Sequence, residues 1–250
     1  EGLSYPWGGL YGGHIVAQAL RAAAHTVEDA LLPHSLRAYF IRRGDNQEPV
    51  RYEVDRIRNG RSFATRRVVA RQSVGVILNL ESSFQCEETS ADIQTVAFPD
   101  SLPAPSALVS TSWSDLFDRS FVPDGTLGQP PGTGAGRVAA WMKVTSDLGD
   151  DQLLHRCALA YLSDDLPTDA VIRSWPEAKA FTDGGTFPFN ASLDHTMWFH
   201  RPVRADRWHL HDMSCHGFTG GRGLAFGHVF SDDGVHVATL AQESLVRLPH

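Results

Sequence analysis

The chain has 250 residues, of which 42% are hydrophobic and 20% are charged, a composition typical of a globular protein rather than a disordered or fibrous one. Its formal net charge of −7 argues against nucleic-acid binding. The sequence contains no run of about 18 apolar residues, which a membrane-spanning helix would need. Three cysteines without close spacing disfavour a disulfide framework and a cysteine-rich zinc site. Because the sequence also begins without a basic or apolar leader pattern, we expect a cytoplasmic protein. Its length is compatible with one large domain or two smaller ones.

The first third of the chain predicts one helix followed by a run of strands. An alanine-rich stretch with apolar residues at helical spacing predicts a helix over 13–26, with Gly12 and Gly13 at its start. Strands are predicted over 35–42, 50–58, 62–71 and 74–84. Asn59 and Gly60 form a typical hairpin turn between two of these strands. One helix followed by antiparallel strands indicates an α+β protein rather than a βαβ fold.

A segment rich in proline and glycine separates this pattern from a second, similar one. Residues 87–136 are predicted to form a linker, with a short helix at about 112–118. A strand over 138–144 and a helix over 150–163 follow, the helix capped by Asp150 or Asp151. Further strands are predicted over 193–200, 208–213, 223–230 and 235–247.

The return of the pattern predicts an internal repeat. A shift of 161 residues lays 60–84 on 221–245 with seven identical residues, although chance similarity between amphipathic strands is an alternative. We therefore expect two tandem modules, 1–95 and 118–250, joined by a linker over 96–117. The open sheet edge of one module would pair with the other, which fuses the two sheets and places the two helices side by side with a groove between the modules.

Motifs for several common chemistries are absent from the sequence. It lacks the G-x-S-x-G nucleophile elbow, a Walker A loop, the G-x-G-x-x-G fingerprint and the H-E-x-x-H zinc motif. His209 and His211 would lie on one face of a strand, but a metal ion would need a third ligand. We therefore expect an enzyme, if it is one, to work without a metal or a nucleotide cofactor.

Several stretches in both halves of the chain resemble the acyl-CoA thioesterase II (TesB-like) family. They are 10–20 (LYGGHIVAQAL), 34–42 (HSLRAYFIR), 58–63 (RNGRSF), 193–202 (LDHTMWFHRP) and 241–243 (AQE). The resemblance implies the double hotdog fold, in which two modules each wrap an antiparallel sheet around one long helix. It also implies hydrolysis of acyl-CoA to a free fatty acid and CoA. The sequence departs from the family at His14, where a glutamine is usual.

The resemblance also implies three catalytic residues, namely Asp164, Ser192 and Gln242. Asp164 would hold and deprotonate a water molecule, a role that burial would favour by raising its pKa, while Ser192 and Gln242 would orient the water or polarise the thioester carbonyl. The adjacent Asp165 competes with Asp164 for the assignment.

The substrate contacts and assembly of such an enzyme are less constrained by the sequence. Gly12 and Gly13 are candidate substrate-binding residues, because glycines at the start of a helix would let the thioester approach closely. Side chains that could fill the groove and limit the acyl chain length include Trp141, Trp175 and Phe187. By analogy we also expect a homo-oligomer. Two alternative functions are a non-catalytic double hotdog that binds acyl-CoA or lipid and an enoyl-CoA hydratase, although no Asp/His dyad for the hydratase is recognisable.

Overall fold

Two helices lie against each other on the inner face of one long sheet. The computed structural model describes residues 3, 5–127, 136–175 and 188–247. Helix α1 (Gly12–Ala24) buries Ile15, Val16, Ala19, Leu20 and Ala23, which share one helix face. Helix α2 (Gln152–Leu162) packs against it, and the side chain of Asp151 caps α2 by accepting hydrogen bonds from the backbone N–H groups of Leu153 and Leu154. Both helices were predicted, whereas the short helix α3 (Pro167–Arg173) was not.

Eleven strands form the sheet in the part of the chain that the structure describes. They are β1 (Leu31–Phe40), β2 (Arg51–Asn59), β3 (Phe63–Gln72), β4 (Gly75–Cys86), β5 (Phe117–Phe121), β6 (Arg137–Val144), β7 (Phe189–Ser192), β8 (Asp194–Phe199), β9 (His209–Thr219), β10 (Arg222–Ser231) and β11 (His236–Arg247). Their order is β2-β3-β4-β1-β8-β11-β10-β9-β6-β5, with β7 paired to β11. The ladders between these strands are all antiparallel, as the α+β prediction requires.

The strand order is mirrored about the centre of the sheet. The sequence β2-β3-β4-β1 on one side corresponds to β9-β10-β11-β8 on the other, and β1 pairs with β8 through a ladder in which Leu36 lies opposite Met197. This pairing confirms the prediction that two sheets fuse and bring α1 and α2 together. The boundaries of the two modules stay a prediction.

The predicted repeat is correct for β3 and β10 but has the wrong register in the strand that follows. Val68 of β3 pairs with Leu80, whereas Val229 of β10 pairs with Ala238. The hairpin is therefore three residues shorter in the second half, so that the shift relating β4 to β11 is 158 residues and not 161. Because an odd error in register exchanges the two faces of a strand, the identities assigned beyond residue 73 do not join equivalent positions.

The short helix predicted at 112–118 is wrong. This stretch contains no helix; a 3₁₀ turn lies earlier, at Pro105–Ala107, and β5 begins at Phe117. Serine and aspartate in this stretch favour turns over helix interiors, and Phe117 is drawn into the core beside Trp113, with ring centroids 4.9 Å apart. Strand β1 also begins four residues earlier than predicted, because a register irregularity at Pro33 lets the chain pair on both sides of the proline.

The sheet is covered on both faces in its second half. The main hydrophobic core lies on the inner face, beneath the helices. On the outer face a second cluster contains Trp141, Leu210 and Phe230, and the linker residues Phe98 and Leu102 pack over it. None of the described helices has the length and apolar composition needed to cross a membrane.

Candidate active site

Asp164 lies where the end of α2 meets the start of α1. It follows the residue that caps α2, and only 7% of it is exposed. Its Oδ2 accepts a hydrogen bond from the backbone N–H of Gly13 at 2.9 Å, and its Oδ1 accepts one from Ser192 Oγ at 2.9 Å. The carboxylate therefore receives one hydrogen bond from α1 and one from the junction of β7 with β8.

Gln242 extends this contact into the sheet. Its Nε2 donates to Ser192 Oγ at 2.9 Å, so that the three residues predicted from the family motif, far apart in sequence, lie in one hydrogen-bonded chain. Ser192 ends β7, and Gln242 lies on the neighbouring strand β11. The geometry is that expected of the proposed site, while the catalytic roles of the three residues stay a prediction.

Two further residues that the sequence analysis did not single out complete the network. His195 Nδ1 lies 2.6 Å from Gln242 Oε1, and His195 Nε2 lies 2.9 Å from Ser163 Oγ. His195, Gln242 and Ser163 are fully buried. The motif that contains His195 was recognised, but a sequence cannot show that this strand residue reaches an amide 47 residues further along the chain.

Burial raises the pKa of the Asp164 carboxyl above its ordinary value. The charge of the His195 ring and the hydrogen bonds from Ser192 and Gly13 act in the opposite direction and favour the ionised form. An ionised carboxylate with a raised pKa is a stronger base than an exposed aspartate, which suits it to accept a proton from water.

The close approach of the two helices explains why positions 12 and 13 are occupied by glycine. A Cβ atom on Gly12 would overlap Asp164 Oδ2 and lie 3.0 Å from the Phe40 ring, and one on Gly13 would overlap the backbone oxygen of Tyr161. The N–H of Gly13 is bound to Asp164. Both glycines thus border the carboxylate, and a direct contact with the thioester stays a prediction.

Asp165, the competing candidate, is engaged in contacts outside the Asp164 network. Its two carboxylate oxygens accept hydrogen bonds from Trp113 Nε1 and from the Arg119 guanidinium, each at 2.6 Å. The ion pair with Arg119 is buried, with 6% of the Asp165 side chain and 12% of the Arg119 side chain exposed. Asp165 therefore ties the linker and β5 to the end of α2.

His14 belongs to an aromatic cluster beside the site. Its Nδ1 lies 2.6 Å from Tyr5 Oη, and burial lowers the pKa of the ring. Its ring packs against those of Tyr5 and Tyr161. Tyr11 and Trp113 complete the cluster through edge-to-face or tilted contacts with these tyrosines and with each other. His14 is therefore held by Tyr5, on the side of α1 that faces this cluster.

The other predicted candidates lie elsewhere. Trp141 belongs to the outer cluster and donates from Nε1 to Pro103 O at 3.0 Å, Trp175 packs on Phe218, and Phe187 lies outside the described residues. Among the described residues, neither tryptophan forms a side-chain hydrogen bond or ring contact with the Asp164 network. The role of each side chain in chain-length selection stays untested.

His209 and His211 lie on one face of β9, as predicted, and both are buried. Burial lowers the pKa of His209 to about 4 and that of His211 to about 3. No group of three or more histidine, cysteine, aspartate or glutamate side chains among the described residues is arranged to hold a metal ion.

Comparisons with known proteins agree with this architecture. Family models described as the acyl-CoA thioesterase N-terminal domain and C-terminal domain match residues 3–85 and 91–246. Acyl-coenzyme A thioesterase 8 of Mus musculus is 34% identical, over 96% of this chain and 80% of the mouse protein. Acyl-CoA thioesterase 2 of Haemophilus influenzae is 33% identical, over 95% of this chain and 87% of its own length.

A solved structure extends the agreement to three dimensions. The acyl-CoA thioesterase II TesB2 from Mycobacterium marinum superposes with a TM-score of 0.83 at 39% identity, covering 95% of this chain and 89% of that one. The double hotdog predicted from the family resemblance is thereby confirmed as the fold. Together with the matches to both halves of the chain, this similarity shows that the protein belongs to the TesB-like acyl-CoA thioesterase II family.

Proposed function

We propose that this protein, a thioester hydrolase of the acyl-CoA thioesterase family, hydrolyses acyl-CoA through a water molecule activated by Asp164, Ser192 and Gln242. The observation that carries the proposal is a nearly buried carboxylate held by two hydrogen bonds on the inner face of the sheet. Burial raises the pKa of this group while its hydrogen bonds still favour the ionised form. A base of this kind is what thioester hydrolysis without a nucleophilic side chain requires.

In the proposed reaction the water oxygen attacks the thioester carbonyl while Asp164 takes one of the water protons. The carbonyl π electrons move onto oxygen to give a tetrahedral intermediate, which collapses with cleavage of the carbon–sulfur bond. The thiolate of CoA leaves and recovers a proton from Asp164, so that the carboxylate is regenerated. Gln242 and Ser192 hold the carboxylate and the water in line, which lowers the barrier by fixing the reacting atoms before reaction.

The proposal is tested by following the release of CoA thiol from a panel of acyl-CoAs. Asp164→Asn keeps the shape of the side chain but removes the base, and we expect hydrolysis to fall about 10²- to 10⁴-fold, the usual contribution of a positioned general base. Asp150→Asn at the opposite end of α2 is the matched control, because its side chain is fully exposed and far from the Asp164 network. A rate unchanged by Asp164→Asn would contradict the mechanism.

The same assay separates hydrolysis from the non-catalytic alternative. A wild-type protein that binds acyl-CoA in equilibrium dialysis but releases no thiol would support a binding protein instead. Ser192→Ala and Gln242→Ala should each lower the rate less than Asp164→Asn, and the double variant should lose less than the product of the two single losses. Residues that act as one unit lose their function together, so multiplicative losses would show that the two side chains act independently.

The boundaries of the two modules are also a proposal. We propose that the two modules comprise residues 1–95 and 118–250, joined by a linker over 96–117. The mirrored strand order and the two family matches support a division into two halves. Association into a homo-oligomer and a cytoplasmic location stay predictions.

A further inference from the structure

The hydrogen bonds around Asp164 form a closed circuit. The circuit starts at Asp164, passes through Ser192, Gln242 and His195 in turn, and returns to Ser163, the residue directly before Asp164. Its four hydrogen bonds are between 2.6 and 2.9 Å long. The circuit joins the end of α2, the β7–β8 junction and β11, so that one side chain can influence the orientation of the next.

Between His195 and Asp164 the three hydrogen bonds run in a single direction. Gln242 donates from Nε2 to Ser192 and must accept at Oε1, so His195 Nδ1 carries a hydrogen and donates it to the amide oxygen. Because its oxygen accepts from Gln242, Ser192 is free to give its own hydrogen to Asp164 Oδ1. This direction supplies the carboxylate with a donor and therefore suits the ionised form of Asp164.

The reverse direction has the opposite effect. If the Gln242 carboxamide turned over, its oxygen would face Ser192 and draw the hydroxyl hydrogen away from Asp164. The lone pairs of Ser192 would then face the carboxylate, which disfavours its ionised form. In that orientation the amide NH₂ would also meet the N–H of His195, donor against donor, so His195 opposes the reversal.

We propose that His195 is a positioning residue for the hydrolysis proposed above, because its Nδ1–H fixes the Gln242 carboxamide and thereby directs the Ser192 hydrogen to Asp164. The ring is held in turn by Ser163, whose Oγ lies 2.9 Å from His195 Nε2 and 3.0 Å from the backbone oxygen of Ala160. His195 does not touch the reacting atoms; it acts through Gln242 and Ser192.

The proposal is tested through the acid limb of the pH profile of kcat/KM, which reports the pKa of Asp164 in the free enzyme. The ionisable groups nearest Asp164 are His195 on β8, Tyr11 before α1 and Asp165, which Arg119 neutralises. Only His195 is changed. His195→Leu removes the donor, whereas His195→Asn places an amide N–H close to the position of Nδ1 and keeps it.

In His195→Leu we expect the acid limb to move to higher pH by about one unit. This shift corresponds to about 1.4 kcal/mol, close to the lower end of what a hydrogen bond to a charged group contributes. Activity below the limb should then fall about 10-fold, while KM and the rate well above the limb change much less. In His195→Asn the limb should stay near its wild-type position.

Three results would overturn the proposal. The first is an acid limb that does not move in His195→Leu. The second is a limb that moves equally in His195→Asn and His195→Leu, which would show that the charge of the ring acts directly on Asp164. The third is a loss of equal size at every pH, which would indicate a merely structural role.

Controls keep these outcomes distinguishable. If His195→Leu does not fold, as judged by circular dichroism, His195→Gln replaces it, because its longer side chain carries the amide past the Nδ1 position and towards Ser163. Asp164→Asn tests the hydrolytic function separately. A rate that depends on Asp164 but not on the donor at position 195 refutes this inference and leaves the proposed function intact.

Discussion

Mild acid is expected to destabilise the protein through two histidines that are buried without charge. His209 and His211 lie in the second half of the sheet, on the face beneath the helices, and both are at most 1% exposed. Neither ring nitrogen of His211 has a hydrogen-bond partner in the described residues. Desolvation therefore holds the pKa of both rings far below the ordinary value of 6.5, at about 4 for His209 and about 3 for His211.

The size of the effect follows from linkage between proton binding and folding. Above pH 6.5 both rings are neutral in the folded and the unfolded chain, so they contribute no pH dependence. Between pH 6.5 and 5 the unfolded chain takes up the protons and the folded chain does not, so each histidine lowers the free energy of unfolding by about 2 kcal/mol, at about 1.4 kcal/mol per pH unit. This figure holds for any folded pKa well below 5, and the two rings together reach about 4 kcal/mol out of a typical total of about 5–15 kcal/mol.

Buried carboxyls act in the opposite direction. Burial, followed by the charge of Asp165, raises the pKa of Asp169 to about 6, and burial also raises the pKa of Asp164. Both groups take up protons in the folded chain first, so they stabilise it as the pH falls. The wild-type profile alone therefore does not isolate the histidines, and a matched variant is needed.

His211→Leu is the informative variant, because the ring makes no hydrogen bond among the described residues that leucine would lose. Urea unfolding followed by tryptophan fluorescence at pH 7 and pH 5 gives the free energy of unfolding of both proteins. Between these pH values the wild type should lose about 2 kcal/mol more than the variant. His216→Leu removes an exposed ring and should leave the wild-type pH dependence unchanged. Equal losses in the wild type and His211→Leu would refute the reasoning.

Two further predictions concern the junction of the helices. Gly12→Ala places a methyl group against the Asp164 carboxylate and should lower kcat in the thiol-release assay. Gly217→Ala is the control and should leave kcat unchanged, because a Cβ atom at that position meets nothing within 4 Å. Equal rates in the two variants would show that the carboxylate moves aside at no cost. Asp165→Asn leaves the buried Arg119 guanidinium without its counter-ion. Because breaking a buried ion pair leaves an uncompensated charge, the free energy of unfolding, measured with urea, should fall by about 3 kcal/mol. The remaining activity of this variant should still depend on Asp164, and a variant as stable as the wild type would show that the ion pair contributes little.

The sequence was sufficient to predict the helices and the fused sheet because their signals are local. The spacing of apolar residues in α1 depends only on near neighbours along the chain and was recognised. The cap of α2 is equally local, and Asp151 was one of the two adjacent candidates for it. Strand alternation likewise predicted most of the sheet. By contrast, β5 lies in a segment rich in proline and glycine, and it forms because the edge of β6 is there to pair with it. Such a strand has no local signature.

The candidate site shows the same division. The short motifs around Asp164, Ser192 and Gln242 were enough to select these residues, and the structure brings them together. The role proposed for His195 depends on a contact between two strands, and the burial of Asp165 depends on a residue of the linker. Neither contact follows from the pattern of the chain around the residue itself.

The mirrored sheet also bears on how many sites of the proposed kind one chain can hold. The fold generates two equivalent corners, which are the places where the end of one of the paired helices meets the start of the other. At the second corner, the position related to Gln242 by the shift of 158 residues is Phe84, a fully buried apolar residue. Near that second corner, beyond the end of α1, the buried guanidinium of Arg66 binds the backbone oxygen of Thr26 and the side chain of Asn59. A dimer of identical single modules must keep both corners the same, whereas one continuous chain can give the chemistry to one corner and use the other as a structural anchor. If Asp164, Ser192 and Gln242 act as proposed, each chain holds one reaction centre for every two hotdog modules.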